Sequence, residues 1–140
     1  MYKRDFILRM IEMMAELIAG ILGLIKKGDY KQASLAIDKA YEDFLQKDAA
    51  FFNEIPIEDL TTELLKKHDY TNGHLEILSE LFFAQGELAS ANGQSSDGLP
   101  YYEKSLILME FCLGESKTFS FEKQQRLMAL TEKIDKLKYN

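Results

Sequence analysis

The chain holds few groups able to do chemistry, and their spacing decides what they can do. His68 and His74 are its two histidines, with Asp69 and Glu76 close by in sequence. Imidazole and carboxylate together suit zinc or manganese, but this spacing matches no metal-binding motif. Glu76, Glu80 and Glu87 fall on one side of a helical wheel. Paired carboxylates can run acid–base chemistry when burial drives their pKa values apart, yet a solvated helix face needs only the same pattern. Cys112 is the single cysteine and lies in an apolar run, Leu106 to Leu113. It can form no internal disulfide, and a buried, inert thiol in a reducing cytoplasm is expected. There is no nucleophile elbow, phosphate-binding glycine loop or neighbouring Cys/His pair. No catalytic, metal or cofactor site is therefore assigned, and the chain is not read as an enzyme.

The elements that would position these groups are helices. Gly28 ends a first helix over residues 3–27 as a left-handed cap. Asp29 caps a second over 30–46, with Tyr30, Ala33, Ile37, Ala40, Tyr41 and Phe44 on one face. A connector with at most a helical turn covers 49–55. Pro56 suits the first turn of a third helix ending near Asp69. Asn72 caps a fourth helix over 73–91, the loop 94–98 is the richest in turn residues, and a fifth helix covers 99–113. Ser120 caps a sixth, to residue 138. No strand is predicted.

Length sets one domain of 140 residues. At 46% hydrophobic and 29% charged residues, the chain has globular rather than disordered composition. Its net charge of −6 is unevenly spread. Residues 1–116 hold 20 acids and 11 bases, whereas residues 117–140 hold 3 acids and 6 bases. An acidic body disfavours nucleic acid, and the basic tail has its own acidic body as the nearest partner. Arg9, Glu12 and Glu16 interrupt the apolar N-terminal stretch, so neither a membrane span nor a signal peptide is expected there. The expected location is cytoplasmic.

Two segments share a helix-hairpin grammar. Gly28-Asp29-Tyr30-Lys31-Gln32-Ala33 runs on to Ile37 and Ala40, and Gly93 to Gly98 runs on to Tyr102 and Ser105. In the later unit, Phe82, Gly86, Gly98, Tyr102 and Ser105 fall at the aromatic, glycine, small, aromatic and small positions of a tetratricopeptide repeat. In the earlier unit Leu17, Ala33, Ile37 and Ala40 fit, while Gly20 and Ile21 depart from the usual leucine and glycine. Neither unit has the terminal proline. The chain thus resembles tetratricopeptide-like proteins over about half its length, and within them small bacterial proteins without an assigned activity. The resemblance implies an all-α, right-handed stack of about six antiparallel helices, with hairpin units near 3–47, 56–92 and 97–138. It also implies a peptide groove lined by Glu80, Phe83, Glu87 and Ser90. Chaperone-binding members place Lys and Asn there to hold a C-terminal carboxylate. Glu80 and Glu87 instead fit a basic or apolar peptide, with Phe83 as an exposed ring.

Gly20, Gly23 and Gly86 lie within helices, where each costs about 1 kcal/mol relative to Ala. They are expected to mark close backbone approach, with Ala15, Ala19 and Gly23 opposing Ala33, Ala36 and Ala40. Helix one is apolar at 15 of the 20 positions from 6 to 25, and its polar residues occupy about 80° of arc. Packing against helix two is expected near Leu8, Ala15 and Ala19, which leaves Phe6, Met10, Met13, Leu17 and Leu24 as a stripe needing cover. That stripe is the expected interface with a protein partner, most simply a second copy in a dimer. The last helix carries a narrow apolar stripe, Phe121, Leu127, Leu130, Ile134 and Leu137, and reads as a solvating cap. The function expected is a non-catalytic protein–protein interaction module. The alternative is a membrane-surface or small-ligand-binding helical protein, disfavoured because the polar face of helix one is narrow and includes Glu12 and Glu16.

Overall fold

The computed structural model describes residues 4–93, 95–115 and 120–139. Every regular element among them is helical. Local chemistry sets the boundaries. Gly28 takes φ +84°, which glycine adopts without strain, and closes α1 (Arg4–Lys26). The Asp29 carboxylate accepts the Gln32 N–H and opens α2 (Tyr30–Ala40), which runs on as a π turn, Tyr41–Leu45. Asp48 caps α3 (Ala49–Asn53) by accepting the Phe51 N–H at 3.0 Å.

The third helix expected after Pro56 is not continuous. It divides into a 3₁₀ turn, Ile57–Asp59, a single turn α4 (Leu60–Thr62) and a π turn, Glu63–Lys67. Leu60 and Leu64, one helical turn apart, are both fully buried, as the expected helix would have them. Thr71, rather than Asn72, caps α5 (Asn72–Ala91). Its hydroxyl accepts the His74 N–H, while His74 Nδ1 accepts the Thr71 N–H at 3.0 Å. This is a capping box with imidazole in the role usually taken by Glu or Gln. Helix α6 (Ser95–Glu115) begins inside the stretch expected to be a loop and carries Pro100 in its second turn. Ser120 caps α7 (Phe121–Tyr139) as expected, accepting the Lys123 N–H.

Helix α5 is the hub, and its closest partner is α6. The two run antiparallel in a register that repeats every seven residues. Cys112 Sγ lies 3.6 Å from the Asn72 carbonyl. One layer on, Ser79 and Ser105 are buried and bond reciprocally, each hydroxyl donating to the other's carbonyl at 2.8 and 2.7 Å. In the third layer a Cβ on Gly98 would stand 2.9 Å from the Gly86 carbonyl oxygen, and one on Gly86 only 2.6 Å from the Tyr102 ring. Small residues at all three layers let the backbones approach. Gly86 therefore marks the close approach expected of it.

Gly20 and Gly23 do not. A Cβ on either would meet nothing within 4 Å. Nor do Ala15 and Ala19 oppose α2; both are exposed, and Leu8 is 49% exposed. Helix α1 instead turns Met10, Met14, Ile18, Ile21 and Ile25 into the core that Ala33, Ile37 and Ala40 of α2 share. Those larger side chains bury more apolar area than the alanine ridge can, so they decide which face turns inward.

Two contacts set the direction of α1. Gly73, at the start of α5, abuts Ile7, and the Tyr30 hydroxyl donates to the Ala91 carbonyl at 3.1 Å. Helices α1 and α5 thus run parallel. So do α7 and α5, since Lys123 pairs with Glu76 and Lys133 with Glu87. Helix α5 is flanked by α1 and α7, with α6 antiparallel to it.

Candidate functional site

The acidic row of α5 is met by the basic row of α7. Lys123 lies 2.6 Å from Glu76, Arg126 2.9 Å from Glu80 and Lys133 2.8 Å from Glu87, while Lys138 reaches Glu103 on α6 at 3.2 Å. The basic tail docks on its own body, as its charge implied. Glu80 sits deep enough that burial raises its pKa despite the opposing pull of Arg126. The same guanidinium lies 3.9 Å above the Phe83 ring.

These contacts change the reading of the expected peptide groove. Phe83 is 3% exposed, so it is a core residue and not the exposed ring expected. Glu80 is engaged by Arg126. Glu87 accepts from the Tyr102 hydroxyl at 2.8 Å as well as from Lys133. Ser90 bonds the same hydroxyl at 3.2 Å. All four residues are brought together, but α6 and α7 cover them, because the cationic face of α7 satisfies the carboxylates. The apolar cap stripe also needs correction. Leu130 and Ile134 are buried, whereas Phe121 is 62% exposed on the outer face of α7 beside Met128 at 66%.

The stripe on α1 is divided. Phe6 and Met13 are 51% and 54% exposed. Leu17 and Leu24 are half-buried against the core, and Met10 lies within it at 8%. Met10 departs from the expectation because it sits nearest the buried face, 40° from Met14 on the wheel.

On the opposite flank of α1 is a feature the sequence reading missed. A groove of about 540 Å³ runs between α1, α5 and α7. Ile11, Ala15, Ile18, Ala19 and Leu22 line one side, and the Glu76–Lys123 and Glu80–Arg126 pairs the other. Met14, Ile77 and Met109 complete the apolar lining, and Glu12 and Glu122 add acidic groups. One signal was available: Leu8, Ile11, Ala15, Ile18 and Leu22 alternate at spacings of three and four, the seam of a coiled coil.

His68 and His74 serve structure. His68 packs edge-on against Phe51 with ring centroids 5.0 Å apart, and His74 is the buried half of the capping box. Among the described residues no cluster of three or more His, Cys, Asp or Glu is placed to hold a metal. Burial pushes the Cys112 thiol up to about 12, where it is unreactive at neutral pH. Burial also lowers the His74 pKa below the ordinary imidazole value. An unfolded chain then takes up a proton near pH 6.5 that the native state refuses, so stability should fall as pH drops through that value. The urea midpoint of the native protein should decline between pH 7.5 and 5.5 more than that of His74→Gln, which keeps a capping acceptor but cannot titrate. Parallel pH profiles would reject this role for the imidazole.

Among the described residues, no helix is long and apolar enough to cross a membrane. Comparisons with protein-family models, curated proteins and solved structures find no match to the chain.

Proposed function

We propose that this chain is a non-catalytic protein–protein interaction module, built in the manner of tetratricopeptide hairpins, that self-associates through α1. The observation carrying the reading is the outer flank of α1, where Phe6 and Met13 remain about half exposed beside half-buried Leu17 and Leu24. The α5–α6 crossing supports the fold relationship, since Gly86, Gly98, Tyr102 and Ser105 meet there and occupy the repeat-like positions.

A second copy suits this flank in shape and charge. In an antiparallel two-fold pairing centred on Met13, Phe6 of each copy lies over Gly20 of the other, where open space surrounds the missing Cβ. Arg9 of each copy then falls near Glu16 of the other, a complementary pair beside the apolar seam. The location proposed with this reading is the cytoplasm.

Sedimentation equilibrium tests the reading. At tens of micromolar, the wild type should have twice the chain mass of 16.1 kDa, and Met13→Asp should revert to that mass with helicity retained. A monomeric wild type would remove self-association.

A further inference from the structure

We infer that the groove between α1, α5 and α7 receives a basic amphipathic helix from another protein. The site is distinct from the proposed self-association flank, lying on the other side of the buried face of α1. Three observations converge on that occupant.

The first is the apolar wall. Leu8, Ile11, Ala15, Ile18 and Leu22 follow the alternating three-four spacing with which one helix receives another. All but Leu8 line the groove, with Ile18 only 2% exposed between the more accessible Ile11, Ala15 and Leu22. From Ile11 to Leu22 the wall extends about 17 Å, or three helical turns. The second is depth. Ala15, with Ala19 beside the seam, puts methyl groups at the middle of the wall, while the larger Ile11 and Leu22 mark its ends. A visiting helix can therefore approach α1 closely at the centre, and about 540 Å³ is room for several of its apolar side chains.

The third is charge. Lys123 and Arg126 are already held by Glu76 and Glu80. Glu12 and Glu122 also line the groove and make no ion pair among the described residues. The lining thus retains two unneutralised negative charges beside an apolar strip. A helix with Leu-like residues along one edge and Lys or Arg flanking them satisfies both surfaces. Helix α7 uses this same code within the chain, setting its bases against the neighbouring acids of α5.

The test uses the full-length protein and a fluorescein-labelled, 14-residue Leu/Lys peptide designed as an amphipathic helix, with a Leu/Glu peptide of identical pattern as its counterpart. Fluorescence anisotropy should show the basic peptide binding at least tenfold more tightly than the acidic one. Ala15→Trp fills the groove without changing charge and should weaken basic-peptide binding at least tenfold. Glu12→Lys combined with Glu122→Lys should narrow or invert the preference. Both sets of changes fall on exposed positions, and circular dichroism checks that each variant is folded. Met13→Asp should leave peptide affinity within twofold of wild type, so failure of self-association and failure of this site give different patterns. Equal binding of the two peptides, absence of binding, or basic-peptide affinity unchanged by Ala15→Trp would overturn the assignment. If Ala15→Trp fails to fold, the double charge reversal decides: an unaltered preference overturns the proposal.

Discussion

Gly98→Ala should destabilise the protein by about 2 kcal/mol, although alanine is the better helix former by about 1 kcal/mol. The added methyl would stand 2.6 Å from Ser90 Oγ and 2.9 Å from the Gly86 carbonyl oxygen. The serine hydroxyl can rotate aside, but the carbonyl belongs to the α5 backbone. Relief requires the helices to separate at this layer. Tyr102 is 2% exposed, with its hydroxyl bonded to Glu87, so it resists displacement. The neighbouring Ser79–Ser105 layer depends on the same approach, because each hydroxyl reaches the opposing backbone directly. Gly23→Ala is the matched control, since its methyl would meet nothing within 4 Å. Urea denaturation should show a lower midpoint for Gly98→Ala and none of that loss for Gly23→Ala. Equal responses would mean that the α5–α6 crossing tolerates separation and that small residues there do not set it.

Arg126→Glu should cost about 2–3 kcal/mol, with the damage concentrated in α7. Breaking a buried ion pair typically costs about 3–5 kcal/mol, and the side chains here retain 24% and 22% exposure, which softens the penalty. The substitution sets a second carboxylate against Glu80, whose ionised form burial already disfavours. It also removes the cation stacked on Phe83. Apart from buried Leu130 and Ile134, α7 is held largely through ion pairs and partly buried contacts. Native-state hydrogen exchange should therefore show α7 amides losing protection while those of α5 and α6 keep theirs. Uniform loss along the chain, or no change in midpoint, would contradict this account of how the last helix is attached.

The legible parts of the sequence were those governed by nearby residues. Gly28, Asp29 and Ser120 mark helix ends because a left-handed residue or a capping oxygen acts within one turn. Gly86 and Ser105 were conspicuous because a glycine or small residue at a repeat-like position has a local cost that packing must offset. Contacts between distant segments were harder to read. The period of α5 placed Glu80 and Glu87 on one face, but nothing in that period shows that Arg126 and Lys133 arrive from 46 residues downstream to cover them. On α1 the difficulty was excess. So many apolar positions generate more than one seam, and only the opposing large residues decide that Met14 and Ile18 turn inward while Ala15 and Ala19 border a groove. The interruption after Pro56 leaves no mark in the apolar pattern. Ile57, Leu60 and Leu64 keep the spacing of one continuous helix, and Leu60 and Leu64 are buried as that helix would bury them.

Met13→Cys addresses self-association most directly. A two-fold axis at this position brings the introduced thiols of two copies together, whereas buried Cys112, its thiol pushed up to about 12, remains a silent background. Under mild oxidation, non-reducing electrophoresis should show rapid conversion to a covalent dimer. The control is Leu35→Cys, on the exposed surface of α2. Dimer yield no greater than in that control would contradict the placement of a second copy against α1.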